Sequence, residues 1–590
     1  MGLGQLSESQ LNFRSFDGTE LFYRAWLPEA PAERALILFH RGHEHSGRFA
    51  KLVEELQVEG TAYFAWDSRG HGRSPGERGY ANHLMDLVRD VDAFVRHVGT
   101  TYSIRVEDIS VLAHSVAAVV VGLWVHDFAP RIRSLILATP ALQVKLYVPL
   151  ALPALRLQLW WSRKRGAAAP YVKSYVSGKL LTHDAEQAKE YDSDPLISKQ
   201  IAVNILLNLS DSANRLVADA GAIRVPVLLL VARTDWVVKN KPAKVFYERL
   251  SSDFKRVAVF RGFYHSIFHE RNRSLVTETC RTFLADAQHH SLPQTTLLTA
   301  DSDGYTADEY QWVRAGSPPI SLKRVGFSLM KLLMRTAGRL SAGVRIGWEH
   351  GFDSGSSLDY VYRNTETGTT AVGRLLDRAY LDSPGWTGIR KRKQNLETLL
   401  DRAIDRCVQS GFSQPLRIMD VAGGPGRYLL ETAKRRSDVA LDLVIRDFNV
   451  AGLNEGRALA QSLGLSAVLH QQADAFDEAE LSSIEPKRDI VVVSGLYELF
   501  PDNGRVLSSL RGISHALRPG GILIYTNQPW HPQLEFIAEV LTNREGAPWV
   551  MRRRTQAEMD ALVESQGFRK QEMLIDNEGI FTVSFAEKAE

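Results

Sequence analysis

Three residue types that together make an acyl-transfer centre occur in this 590-residue chain in the order Ser115, Asp235, His265. A serine hydroxyl becomes a nucleophile when an imidazole takes its proton, and a carboxylate fixes that imidazole's tautomer. Each of the three stands just past an apolar run. DISVLAH leads into Ser115, VPVLLLVA is followed by Arg233-Thr234-Asp235, and VAVF by Arg261-Gly262-Phe263-Tyr264-His265. After Ser115 comes VAAVVVGLWVH, apolar and of helical length. Strand, small residue, serine, small residue, helix is the pattern of a tight turn that lifts a serine hydroxyl above a sheet. The small residues here are Ala113 and Ala117, where glycine is usual. The N–H of Val116, next to the nucleophile, can serve the oxyanion of a tetrahedral intermediate.

A second chemistry is written between residues 416 and 447. The run LRIMD ends at Asp420 and continues through Val421-Ala422-Gly423-Gly424-Pro425-Gly426-Arg427 into the helical pattern YLLETAKRR. Glycines let a backbone approach a ligand where side chains would clash. A dinucleotide fingerprint needs a glycine where Leu429 stands, and Pro425 lacks an N–H for a phosphate cradle, so NAD is disfavoured. The next run, LDLVIRD, ends at Asp447. An acid at that place can accept hydrogen bonds from both hydroxyls of a ribose.

Such residues need sheets to hold them. From Ala35 to about Ala285 the runs ALILFH, AYFAWD, DISVLAH, SLILATPAL, VPVLLLVA and VAVF alternate with helical stretches, which argues for a parallel sheet covered by helices. Between about 143 and 223 the rhythm gives way to a mostly helical insertion, expected to be a lid. A second series, LRIMDVA, LDLVIRD, AVLHQQAD, DIVVVSG and GILIYTN, closes with an expected hairpin near EMLID and FTVSFAE. The fold class is therefore α/β in two domains. Residues 1–288 form the first, 289–320 a polar Gly- and Pro-containing linker, and 321–590 the second, with a helical cap at about 321–410 and the cofactor-binding sheet at 415–590.

Bulk properties set limits. A chain of this length exceeds what one core usually holds. A net charge of +3 gives no reason to expect a nucleic-acid partner. Cys280 and Cys407 are far apart in sequence and have no metal-ligand spacing. The start MGLGQLSESQLNF has neither the basic region nor the apolar core of a secretory signal, so the expected location is the cytoplasm.

The turn after ALILFH reads His40-Arg41-Gly42-His43-Glu44-His45-Ser46-Gly47-Arg48-Phe49. With AWDSRGHGRSPGERGY at 65–80 and YDSDPLI at 191–197, it closely resembles the monoacylglycerol lipases and related lysophospholipase-like serine hydrolases. The likeness spans roughly residues 11–285, lid included, and the order Ser, Asp, His is that of α/β-hydrolases. It implies a helical lid over an α/β-hydrolase fold, a lipid ester substrate, and Gly42 as the second oxyanion donor beside Val116. The chain departs from the family's His-Gly-x-Gly at Arg41 and His43. His40, His43 and His45 are read as part of this loop, with no metal site expected.

The Asp420 loop resembles the first motif of class I S-adenosylmethionine-dependent methyltransferases, with Ala422 in place of the usual first glycine. Ala473-Asp474-Ala475-Phe476, DIVVVSGLYELFPDN at 489–503 and LRPGGILIYTNQPWHPQ at 517–533 resemble later motifs of that family. The resemblance implies a Rossmann-like fold and S-adenosyl-L-methionine as cofactor, held by Asp420, Ala422, Gly423, Gly424, Gly426, Asp447, Asp474, Ala475 and Ser494. Methyl transfer is largely a matter of alignment. The acceptor side is expected from Tyr497, Glu498, Trp530 and His531, just beyond strand ends, and from the aromatic, acidic segment 347–364.

The implied partners are small-molecule or lipid substrates. The lid start KLYVPLALPALRLQLWWSRKR and the basic amphipathic segment 322–346 are two places for peripheral contact with the inner face of a membrane. For 322–346, packing against its own domain is the favoured alternative. Two readings of the first domain compete with ester hydrolysis: acyl transfer through the same acyl-enzyme, and a silent half that binds or scaffolds.

Overall fold

The computed structural model describes residues 6–148, 150–290, 297–318, 320–465 and 467–589. The first five residues of the start and residues 291–296 and 319 of the expected linker lie outside them. The chain folds into two compact units, Met1–Pro293 and Gln294–Glu590.

The first unit carries strands β1 (Ser7–Arg14), β2 (Glu20–Leu27), β3 (Arg34–Phe39), β4 (Thr61–Trp66), β5 (Ile109–His114), β6 (Ser134–Ala138), β7 (Tyr171–Lys173), β8 (Gln200–Ala202), β9 (Val227–Ala232) and β10 (Lys255–Phe260). Eight form one sheet in the order β1-β2-β4-β3-β5-β6-β9-β10, and β7 pairs with β8 separately. From β4 to β10 the neighbours are parallel. β1 and β2, which precede the expected series, are added antiparallel at one edge. This is the expected α/β-hydrolase fold. The chain winds from β3 to β4, then crosses back over β3 to β5. That reversal leaves a crevice outside the carboxyl ends of β3 and β5, where ligands bind in open α/β sheets.

Segment 143–223 contributes the helices Ala151–Lys164, Gly178–Leu181, Ala185–Ser193 and Val203–Ala218 around the β7–β8 pair. The first is amphipathic the unusual way round, with Leu157, Trp160 and Trp161 exposed and Leu159 buried.

The second unit carries β11 (Leu416–Val421), β12 (Leu441–Asp447), β13 (Val468–Gln472), β14 (Arg488–Val493), β15 (Leu517–Asn527), β16 (Phe568–Ile575) and β17 (Thr582–Lys588) in the order β13-β12-β11-β14-β15-β17-β16. All pairs are parallel except those of β17, which runs antiparallel to β15 and to β16. This is the Rossmann-like arrangement, and its reversal lies between β11 and β14. Period-two alternation builds a core on each face. Ile418, Ile490 and Ile522 pack one way, and Met419, Val491 and Leu523 the other. Each such buried side chain contributes roughly 1.5–3 kcal/mol.

The helices Leu322–Arg335, Ala342–His350, Gly355–Arg363, Ala371–Leu381 and Pro384–Gln409 precede the sheet. Within the segment read as a linker, Ala300–Asp303 and Tyr305–Ala315 are helical. Thr306 is buried there, donating to Glu558 at 3.1 Å and accepting from Arg552 at 2.8 Å. Composition alone hides that polar docking.

Candidate functional site

In the first unit, β5 ends at His114 and Ser115 takes φ 60°, ψ −111° before the helix Val116–Phe128 begins. A non-glycine residue at positive φ is strained, and such strain persists where the surroundings over-determine it. The turn is held by the N–H of Ser115 on Ala138 O at 2.9 Å and by the N–H of Ala141 on Ser115 O at 3.0 Å. His265 Nε2 lies 2.8 Å from Ser115 Oγ, and His265 Nδ1 lies 2.7 Å from Asp235 Oδ2. With Nδ1–H donating to Asp235, Nε2 is free to accept from the serine hydroxyl. Asp235 Oδ1 accepts the N–H groups of Val237 and Val238 at 2.7 and 2.9 Å. Burial opposes ionisation of Asp235, yet His265 and these two donors together hold its pKa below the usual value.

Two residues absent from the sequence reading position His265. Its carbonyl oxygen accepts from His114 Nε2 and from Thr139 Oγ1, each at 3.1 Å. Burial keeps His114 well below the ordinary imidazole pKa, so it holds this contact as a neutral ring.

Gly42, after β3, faces Val116 across the reversal; a Cβ on Gly42 would lie 3.1 Å from Val116 Cγ2. Both line a small cavity of about 70 Å³ whose far wall is Ile201, Ile205, Leu206 and Leu209. His43 stands at φ 72°, a conformation that favours glycine, so this departure from the family pattern carries backbone strain. Arg41 is buried, 3.0 Å from Glu44 Oε1 and 4.6 Å above the Tyr191 ring. Its charge occupies the space a glycine would leave. The three histidines of this loop point to different partners. His40 Nδ1 donates to Arg41 O and its Nε2 accepts from Ser68 N, whereas His45 Nε2 meets Asp194. Burial presses the His43 pKa down to about 4.

In the second unit, β11 gives way to the loop 422–426. Ala422 takes φ 59°, the left-handed conformation that glycine would adopt freely. Gly426 stands at φ 64°, and a Cβ there would come within 2.4 Å of Ile445 Cδ1, so any larger residue would be strained and would push that side chain aside. The loop opens into a cavity of about 1520 Å³. Ala422, Gly423, Gly424, Gly426, Asp447, Asp474, Ala475 and Ser494 all line it. Asp447 Oδ2 accepts the N–H of Gly424 at 2.8 Å, and its Oδ1 that of Asn449 at 2.7 Å. A carboxylate has lone pairs left for a ligand beyond these.

Asp420 differs from that expectation. It lies beneath the loop rather than in the wall, its Oδ1 accepting from Tyr428 at 2.6 Å and its Oδ2 buried with no hydrogen-bond partner. Burial pushes its pKa up to about 8.

The four acceptor residues divide. Glu498 and His531 line the cavity, but Tyr497 and Trp530 do not. The turn Tyr497–Leu499 aims the Tyr497 hydroxyl at Ser509, 3.0 Å away, and Trp530 packs against an apolar cluster of the cap. Glu498 is paired with Arg392 at 3.0 Å, an arginine that reads as ordinary in the sequence of a long helix. Asp353, Leu358, Asp359 and Tyr362 of segment 347–364 are also in the wall, and Asp359 is tied to Arg427 at 2.5 Å. On two residues of the wall, Glu498 Oε2 and Gln528 Nε2 are buried and have no hydrogen-bond partner.

Comparison with known proteins places both halves. The model of a family described as "Serine aminopeptidase, S33" matches residues 30–272. A monoacylglycerol lipase of Mycolicibacterium smegmatis is 24% identical over 280 residues, covering 47% of this chain and 97% of the relative. The solved monoacylglycerol lipase of Paleococcus ferrophilus covers 48% of this chain and 99% of its own at 23% identity and a TM-score of 0.40. "Uncharacterized protein YnbC" of Escherichia coli K12 is 46% identical over 577 residues, 97% of either chain. A family model described as "Putative methyltransferase" matches residues 280–588, over half of the chain. The protein therefore belongs to that methyltransferase family, and it carries a hydrolase-family unit ahead of the methyltransferase unit.

Proposed function

We propose that the chain is a bifunctional enzyme: a serine hydrolase of acylglycerol- or lysophospholipid-type esters joined to an S-adenosylmethionine-dependent methyltransferase acting on a small or lipid acceptor. The observation that carries the first half is the relay Ser115–His265–Asp235 at 2.8 and 2.7 Å. Ser115 Oγ attacks the ester carbonyl while His265 Nε2 takes its proton, and the oxyanion meets the N–H groups of Gly42 and Val116. His265 then returns the proton to the departing alcohol. Water, or an alcohol if the enzyme transfers acyl groups, reverses the sequence and frees Ser115. The complete relay favours an active first unit over a scaffolding one. Ser115 is only 4% exposed. Segment 143–223 walls the cavity beside Gly42 and Val116 with Ile201, Ile205, Leu206 and Leu209, as a lid does, and its exposed Leu157, Trp160 and Trp161 suit contact with a lipid aggregate.

For the second half, the residues fit the proposed cofactor. Asp447 would accept the ribose hydroxyls, and the 422–426 backbone gives close approach without side chains. Asp474 and Ala475 border the adenine position, and Ser494 completes the cofactor's side of the cavity. S-adenosylmethionine supplies a methyl on a sulfonium. The chain's own task is to hold the acceptor in line with that methyl and to exclude water. A cavity of about 1520 Å³ exceeds the roughly 300–1,000 Å³ of a one-ligand pocket, so it has room for cofactor and acceptor together. Fatty-acid release from monoacylglycerol, lost in Ser115→Ala, and calorimetric binding of S-adenosylmethionine, lost in Asp447→Ala, test the halves separately. Absence of both activities in folded wild-type protein refutes the reading.

A further inference from the structure

The helix Leu322–Arg335 has no buried residue along its length, although eight of its fourteen residues are leucine, methionine, valine or phenylalanine. Its apolar side chains form two rows. Phe327 and Met334 pack against the cap cluster, and Met330, Leu333 and Met334 line the cofactor cavity. Leu322, Val325, Leu329 and Leu332, spaced three, four and three apart, form the second row and are all exposed, Leu322 to 93%. Neither row is needed twice by the unit's own core. Exposed Ile320 and Trp312 extend the outer row.

Along the chain, the charges that flank this row are of one sign. From Gln311 to Trp348 the sequence contains Arg314, Lys323, Arg324, Lys331, Arg335, Arg339 and Arg345, and no aspartate or glutamate. Lys323 is paired with Glu535, Lys331 donates to the carbonyl of Glu539, and Arg335 lies over Trp348. Among the described residues no carboxylate forms an ion pair with Arg324, Arg335 or Arg339. An exposed apolar row bordered by cations complements a layer whose interior is apolar and whose surface is anionic. A protein partner would need an acidic groove; a bilayer with anionic headgroups meets both requirements at once.

We propose that Leu322–Arg335 is an interfacial helix. It lies in the headgroup layer of an anionic bilayer with Leu322, Val325, Leu329 and Leu332 turned into the acyl region. Its inner row, Met330, Leu333 and Met334, is the passage by which a membrane-resident, acyl-chain-bearing acceptor reaches the methyl-transfer cavity. The apolar end of the acceptor lies along these residues, and its polar end reaches the part of the wall formed by Glu498, Gln528 and His531. This rests on the methyltransferase reading and names its acceptor class.

The test is co-sedimentation of the full chain with vesicles of phosphatidylcholine alone and of phosphatidylcholine and phosphatidylglycerol in equal parts. Wild type is expected in the pellet with the anionic vesicles and to leave it as salt rises. Leu329→Asp and Leu332→Asp are each expected to weaken binding about tenfold, the factor that burying one such side chain is worth. Both residues are exposed and lie outside the cavity wall, so S-adenosylmethionine affinity should not change. Trp160→Asp with Trp161→Asp, in the first unit, separates any contribution of the lid. Three outcomes overturn the proposal: wild type stays in solution with both vesicles, the leucine variants bind as well as wild type, or the variants only dissociate a dimer. If S-adenosylmethionine still binds in those cases, the methyltransferase reading stands without the membrane.

Discussion

His114 Nε2 donates to the main-chain oxygen of His265 at 3.1 Å, so the residue that ends the nucleophile's strand also places the base. Removing that donor leaves the His265 carbonyl held by Thr139 alone. His114→Ala is expected to lower kcat about fivefold with little change in KM, since the ring positions the base without touching substrate; one hydrogen bond is worth roughly 1 kcal/mol. His114→Asn, which keeps a donor, should restore part of the rate. Steady-state kinetics with a soluble ester reads both.

Arg41 tests the altered loop. Its guanidinium is a near neighbour of Glu44, with Arg48 farther off at 3.6 Å. Although Glu44 is buried, Arg41 and the nearby cations keep it ionised, holding its pKa far below the usual range. Arg41→Ala strands that charge. The expected cost is about 3–5 kcal/mol, read as a fall in the Tm of the first unit. Arg41→Ala with Glu44→Gln should recover most of it.

The carboxylate Asp447 makes the clearest test of the cofactor site. Asp447→Ala removes the proposed acceptor for two ribose hydroxyls and also releases Gly424 N–H. A weakening of S-adenosylmethionine binding by about 10²-fold is expected, from roughly 1.5–3 kcal/mol for each hydrogen bond to a charged group. Isothermal calorimetry on the full chain measures it.

Asp420 predicts a pH dependence. Its folded pKa, raised by burial to about 8, lies above the unfolded value, so the folded state holds a proton that the unfolded state releases. Its contribution to stability is therefore present at low pH and is lost as pH rises from about 4 through about 8. The Tm of the second unit should fall over that window. In Asp420→Asn the fall should be reduced by an amount on the order of a few kcal/mol.

What could be read in the sequence was what lies at strand ends. Ser115, Asp235 and His265 follow directly on apolar runs of the first sheet, and the 422–426 loop on one of the second, so local pattern places each set at the end of its own strands. Residues that depend on packing between distant segments were hidden. Arg392 is one cation among many in a long helix, and only the fold brings it to Glu498. Tyr497 is adjacent in sequence to the cavity-lining Glu498, yet a single short helical turn sends its hydroxyl to Ser509. Strand β1 escaped because SESQLNFR is mostly exposed and lacks a continuous apolar run. The segment 322–346 reads in sequence either as packed on its own domain or as lying on a membrane, and the helix Leu322–Arg335 packs Phe327 and Met334 on the cap while it leaves Leu322, Val325, Leu329 and Leu332 exposed.

The account stands most directly on Ser115 as an activated nucleophile that works without the methyltransferase site. Intact-protein mass spectrometry after incubation with a fluorophosphonate reads this in one measurement. The account predicts a single adduct on wild type and on Asp447→Ala, and none on Ser115→Ala. An unlabelled, folded wild type, or an adduct that persists in Ser115→Ala, would contradict it.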